Sequence, residues 1–166
     1  TGSLIQFDGG CTYDGYFTDI KRFASIGRPT PDQEKFYDLA RASQEAAIET
    51  VGPGVPYSDV YEASQQVLRN AGYTSFVESC QQAGMSAIGH NVGLDIHEMP
   101  GISSTTEEIL QPNQVICVEP YFFHDGGFPI SEVKNKYGLE DMVLVTGKGN
   151  EILSPDSILS RDIWIA

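Results

Sequence analysis

Residues 7–23, FDGGCTYDGYFTDIKRF, set Asp8 and Asp19 eleven positions apart, with Gly9, Gly10, Gly15 and three aromatic residues between them. The Tyr13-Asp14-Gly15 turn joins two short runs, residues 4–8 and 16–20, too closely for a crossover, so they are expected to pair as an antiparallel hairpin. Ile5, Phe7, Tyr16, Phe17 and Ile20 predict that this hairpin is largely buried. Two neighbouring carboxylates out of water repel each other and resist ionisation unless a cation lies between them. Aspartate beside a turn is also ordinary turn chemistry on a wet surface, and the hairpin alone leaves both readings open.

The remaining pattern alternates helices and strands. Thr30 is placed as an N-cap, with Pro31 at the first helical position and Gln33 three residues after the cap. Phe36, Leu39, Ala40, Ser43, Ala47 and Val51 continue at helical spacing until Gly52-Pro53-Gly54 stops the helix. Val60, Ala63, Ser64, Val67 and Leu68 predict a second helix over about residues 58–70, closed by Gly72. Strands are then expected at 115–119, behind the Pro112-Asn113 turn, at 139–146, and at 151–153 after a Gly147-Lys148-Gly149-Asn150 turn. The order describes one α+β domain with mainly antiparallel pairing, and 166 residues suffice for a hydrophobic core. No linker, internal repeat or low-complexity segment interrupts it.

Ten basic against 23 acidic residues give a net charge of −13, which disfavours nucleic acid and anionic membranes as partners. The acidic excess fits a solvated surface and equally fits bound cations. Cys11, Cys80 and Cys117 are odd in number and lack CxxC spacing, so neither a disulfide framework nor a thiolate zinc site is indicated, and a reducing cytoplasm fits them. No apolar stretch reaches the ~20 residues a membrane helix needs. The chain opens on Thr1, directly before a strand, and upstream sequence is expected to be missing.

Further chemistry lies in three later segments. GHNVGLDIHEMP, residues 89–100, carries His90 and His97, with Gly89 and Gly93 permitting close backbone approach; VICVEP ends an apolar strand on Glu119; YGLEDMVLVT opens another on Glu140. Singly, a histidine is usually structural, and a strand-terminal glutamate usually faces water. As a set, two Asp, one His and two Glu on apolar or glycine-bounded segments suit divalent ions such as Mn²⁺, Co²⁺, Fe²⁺ or Zn²⁺, and four carboxylates would neutralise two of them.

In order, these segments resemble the metal-binding motifs of the pita-bread metallopeptidases: methionine aminopeptidase, aminopeptidase P and prolidase. The resemblance runs from about Leu4 to Leu153. The spacing from His90 to Glu119 and Glu140, together with PTPDQ and GPGVPYSDVYEA, is closest to the Xaa-Pro aminopeptidase and prolidase branch. It implies an α+β pita-bread fold, a curved, mainly antiparallel sheet with helices on its outer face, of which residues 1–166 form the C-terminal part without the N-terminal half. It also implies two divalent ions, Mn²⁺ first among them. Asp8 would be a terminal ligand of one, Asp19 and Glu140 would bridge both, and His90 and Glu119 would hold the other. A hydroxide between the ions would then attack the peptide bond, with Glu119 moving the proton and His97 donating to the substrate carbonyl. The implied substrate is a small peptide with a free N-terminus, cut next to that end, and a homodimer is an open assembly state.

Several positions depart from the branch. Ser86 stands where a further histidine is usual, Gly138 where an arginine precedes the last glutamate, Asn91 replaces the second glycine of GHG, and DIKRFASIG replaces the DxTRTF wording. The preceding half of such domains supplies another active-site histidine, and His124, read as a surface residue, is too far past Glu119 to replace it. A same-fold hydrolase or lyase acting on a small non-peptide molecule, or a non-catalytic peptide-binding module, are the alternatives.

Overall fold

The protein's computed structural model describes residues 3–85, 87–123, 136–154 and 164–165. Its centre is a five-stranded antiparallel sheet in the order β11-β10-β7-β5-β6, made of β5 (Gly89–Asn91), β6 (Glu98–Gly101), β7 (Val115–Val118), β10 (Asp141–Val145) and β11 (Asn150–Ile152). Period-two alternation decides which side chains face which layer. Ile116 and Val118 of β7 and Val143 and Val145 of β10 point to one side, into a core with Ala47, Ile48 and Val51 of helix α1 (Pro31–Thr50) and Val60 and Tyr61 of α2 (Tyr57–Asn70). Cys117 and Met142 point to the other side, with Val92; among the described residues no helix packs on that face, and it carries the candidate site.

Helix α1 starts as its sequence predicts: the Thr30 hydroxyl accepts from Gln33 N–H at 3.2 Å, and the Gln33 side chain accepts from Thr30 N–H at 2.8 Å. No basic residue sits in its last turn; Asn150 Nδ2 donates to Val51 O and to Ile48 O, each at 2.9 Å, the latter also accepting from Val51 N–H, and so ties down the helix end. A short helix α3 (Thr74–Gln82), which the sequence pattern did not suggest, buries only Val77 and Cys80. An aromatic cluster of Phe23, Phe36, Tyr37, Phe122 and Tyr137 joins α1 to the two-stranded sheet of β8 (Tyr121–Phe123) and β9 (Lys136–Gly138). Among the described residues no helix is long and apolar enough to cross a membrane.

The N-terminal hairpin differs from expectation in two ways. Strand β1 (Ser3–Gly9) pairs along its length with β4 (Ile20–Ile26), placing Asp8 opposite Lys21, rather than with residues 16–20; Tyr16–Phe17 forms β3 and pairs with β2 (Thr12–Tyr13), and only the turn between these two lies where expected. The two-residue turn at Asp14-Gly15 sets this: counting back from Tyr13 opposite Tyr16 and Thr12 opposite Phe17, the same register leads to Gly9 opposite Ile20 and Asp8 opposite Lys21. Between the two paired stretches Cys11 N–H donates to the Thr18 hydroxyl and Thr18 N–H donates to Cys11 O, each at 2.9 Å, and Gly10 passes so close that a Cβ there would sit 1.8 Å from Thr18 O. The second correction concerns burial: Phe7 is 51% exposed, and Ile5, Tyr13 and Tyr16 are exposed as well, while β4 is buried through Phe23 and Ala24. β4 also pairs in parallel with β12 (Trp164–Ile165) and meets the central sheet where Lys21 and Glu140 exchange backbone hydrogen bonds of 3.3 and 3.2 Å.

Candidate metal centre

Each group at the centre is set by backbone register. Asp8 lies near the end of β1, and Asp19 in the link between β3 and β4 rather than inside a strand. His90 is central in β5, Glu119 directly follows β7, and Glu140 directly precedes β10. Gly89 is required, because a Cβ there would stand 2.1 Å from Cys117 O; the close approach brings β5 onto β7 and lets Glu119 N–H donate to Ile88 O. Asn91, the departure from GHG, donates to Pro100 O at 2.8 Å and accepts from the Tyr57 hydroxyl at 3.0 Å, fixing the register shift beside His90. Glu98 accepts from the N–H groups of Leu94 and Asp95 and shapes the loop bearing His97.

These elements bring Asp8, Asp19, His90, Glu119 and Glu140 into one cluster. Donor atoms of Asp8, Asp19 and Glu140 lie within 4.8 Å of one another, as do those of Asp19, His90 and His97, and those of His90, Cys117 and Glu140. His90 and His97 meet ring edge to face at 4.3 Å, with His97 exposed at the mouth. His90 Nδ1 is 3.0 Å from Asn91 O; a carbonyl only accepts, so Nδ1 carries a hydrogen, and Nε2 is the ring nitrogen turned toward the carboxylates.

The sixth member was not singled out by the sequence. Lys21 Nζ lies 2.6 Å from Glu119 Oε2, 3.2 Å from Asp8 Oδ2 and 3.6 Å from Glu140 Oε2. The signal was present in DIKRF: Lys21 stands two residues after Asp19, so on an extended strand both share a face. Behind the cluster, Arg22 donates to the Asp141 carboxylate, to Glu140 O at 2.6 Å and to Lys21 O at 2.9 Å, while Gln44 bonds Asp141 and Val118 O. This buried group fixes the backbone on which Lys21, Glu119 and Glu140 stand. A charged residue inside each of the apolar runs IKRF and EDMVLV is its trace in the sequence.

The electrostatics follow from crowding. Burial, with Glu140 and Asp8 nearby, raises the Asp19 pKa. Burial opposes the charged form of His90, but its contacts to Glu119, Glu140 and Asn91 O outweigh that and hold it at about 10. Burial likewise acts upward on Glu119, yet His90 and Lys21 pull it down to about 2. Burial disfavours the Lys21 ammonium, and Glu119, Glu140 and Asp8 more than reverse this and raise its pKa. The Cys117 thiol is pushed up by burial and by the neighbouring carboxylates, so it is a neutral floor to the cluster.

Two atoms test whether a metal ion suits these residues. His90 Nε2 and Glu140 Oε1 are buried without a hydrogen-bond partner, 3.6 Å apart, and His90 Nε2 is 3.5 Å from Glu119 Oε1. A cation between them would satisfy all three, so the His90 side fits a divalent ion. The Asp8 side already holds the Lys21 ammonium. Gly138 packs so that a Cβ would lie 2.8 Å from Pro120 O, which explains why no larger side chain stands there. Ser86 and His124 lie outside the described residues.

The sequence profile of metallopeptidase family M24 matches residues 1–147. The chain belongs to this family. Similar M24 proteins include the Xaa-Pro dipeptidase of Pyrococcus furiosus, 31% identical over 92% of this chain and 40% of its own length. Among solved structures, the dipeptidase PepE from Mycobacterium ulcerans superposes with a TM-score of 0.83 at 29% identity, over 99% of this chain and 40% of that one. The X-Pro aminopeptidase from Thermotoga maritima gives 0.82 at 29% identity, over 99% and 42%. The chain thus spans about 40% of the length of the M24 relatives it matches. The pita-bread α+β architecture, present here in part, is shared with them.

Proposed function

We propose that the protein is a metal-dependent peptidase that cuts the amide bond next to the free N-terminus of a short peptide, with an Xaa-Pro bond as its first candidate target. In that reading residues 1–166 supply the C-terminal part of the catalytic domain. The observation that carries the proposal is the pair of buried, unsatisfied atoms, His90 Nε2 and Glu140 Oε1, facing each other inside an anionic cleft. Asp19, His90, Glu119 and Glu140 would hold a divalent ion, Mn²⁺ before Co²⁺, Fe²⁺ or Zn²⁺, which when bound polarises an amide carbonyl and makes water acidic enough to attack near neutral pH. The resemblance implies a second ion on the Asp8 side.

The chain's own groups supply the rest. Glu119 stands at the junction of the cleft and accepts a proton from the attacking water, then returns it to the leaving amine. His97, exposed at the mouth beside His90, donates to the carbonyl oxygen as negative charge develops. The acidic edge formed by Asp8 and Asp19 favours a cationic N-terminus over a carboxylate. Met142, whose sulfur accepts from Asp19 N–H at 3.4 Å, also lines a groove of about 460 Å³ with Tyr13, Tyr16, Phe17, Val92 and Val115. That apolar groove suits a proline ring or another apolar side chain.

The test is hydrolysis of Xaa-Pro dipeptides and tripeptides, alongside other short peptides and small non-peptide amides, before and after chelation and Mn²⁺ addition. Peptide cleavage that chelation removes and Mn²⁺ restores is the expected result. Turnover of small amides alone would favour the non-peptide alternative, and Mn²⁺ binding with no turnover of any peptide would overturn the proposal.

A further inference from the structure

Lys21 is in the place where a second cation would go. Its backbone is locked on both sides: opposite Asp8 in the β1–β4 pairing, and bonded to Glu140 through both N–H and C=O. Its side chain is 5% exposed, so the ammonium is held among the carboxylates rather than extended into water. Glu119 and Glu140 each divide their two oxygens in the same way. Oε2 of both faces Lys21 Nζ, at 2.6 and 3.6 Å, and Oε1 of both faces His90 Nε2, at 3.5 and 3.6 Å. On the lysine side, Asp8 Oδ2 completes the contacts of the ammonium at 3.2 Å. On the histidine side the imidazole nitrogen and Glu140 Oε1 are left without a partner. The cluster therefore has two cation positions, one filled by the chain itself and one asking for an ion.

We propose that the Lys21 ammonium permanently replaces one divalent ion, so that this site binds a single metal ion, on the His90 side, held by Asp19, His90, Glu119 and Glu140. This rests on the metal-dependent reading above and revises the two-ion expectation for this chain. A divalent ion on the Asp8 side would have to share Asp8, Glu119 and Glu140 with a buried ammonium a few ångströms away, and like charges at that range repel strongly when water is excluded. One ion leaves the lysine paired and satisfies both orphaned atoms. Lys21 thereby becomes the residue that sets the metal count.

The test counts ions. The protein is saturated with Mn²⁺, freed of excess, and its metal measured per chain by elemental analysis and by electron paramagnetic resonance, for the wild type and for Lys21→Thr. The wild type is expected to hold one ion per chain and give the hyperfine pattern of isolated Mn²⁺; Lys21→Thr is expected to hold two and give an exchange-coupled spectrum. Two ions per wild-type chain, or a single ion in a folded Lys21→Thr chain, would overturn the inference. Should Lys21→Thr fail to fold, the wild-type spectrum still decides, since a coupled signal sinks the idea by itself. Chelator-sensitive peptide cleavage by a chain holding two ions would refute only the lysine inference. A single tightly held ion with no cleavage of any peptide would refute only the peptidase reading.

Discussion

The candidate centre is assembled from two sheets that are built differently. The central sheet supplies His90, Glu119 and Glu140, and is backed by helices and filled with Ile116, Val118, Val143 and Val145. The β1–β4 arm supplies Asp8, Asp19 and Lys21, and one of its two long strands lies mostly exposed, with Phe7 51% accessible. Hydrophobic burial holds the first half of the cluster in place. The second half adds polar fastening to the burial of Phe23 and Ala24: the Lys21–Glu140 backbone pair and the Arg22–Asp141–Gln44 group beneath it. The lesson is that equally placed ligands can have unequal support, and that substitutions should separate the two kinds.

The largest expected effect breaks the fastening. Arg22→Ala removes the guanidinium that pairs with the buried Asp141 carboxylate and should cost about 3–5 kcal/mol in urea unfolding; a loss below about 1 kcal/mol would mean that the arm is held otherwise. Next, Ile116→Ala opens a cavity in the helix-backed core and should cost about 3 kcal/mol by the same measurement. Third, Mn²⁺ at about a hundred times its dissociation constant should stabilise the wild type by about 2.7 kcal/mol. Glu140→Gln, which removes a charge shared by both cation positions, should abolish that gain in thermal unfolding with and without Mn²⁺. The smallest effect is expected for Phe7→Ser on the open strand, within about 0.5 kcal/mol of wild type. A cost approaching that of Ile116→Ala would erase the contrast between the two sheets.

Local features of the fold could be read from the sequence. The Thr30–Gln33 capping box, the strand ending before Glu119 and the turn before Glu151 each depend on residues a few positions apart. The partner of β1 was within reach as well: a two-residue turn at Asp14-Gly15 carries the register from Tyr13 opposite Tyr16 to Asp8 opposite Lys21, whereas pairing residues 4–8 with 16–20 does not centre on that turn. Burial of the hairpin was misjudged for a different reason: Ile5 and Phe7 are apolar, but whether another layer covers them is a non-local fact. At the candidate centre, carboxylates and histidines were picked out by type and spacing. Lys21 was passed over because a cation among expected metal ligands looks like a mere difference in wording until strand alternation places it inward.

The two hydrogen bonds from Asn150 to Ile48 O and Val51 O have a practical consequence. The Gly147–Asn150 turn resembles a free surface loop of the sort chosen for inserting an affinity tag or fluorophore. Here it is stitched to the last turn of the long helix, so an insertion next to Asn150 would loosen the helix end along with the loop.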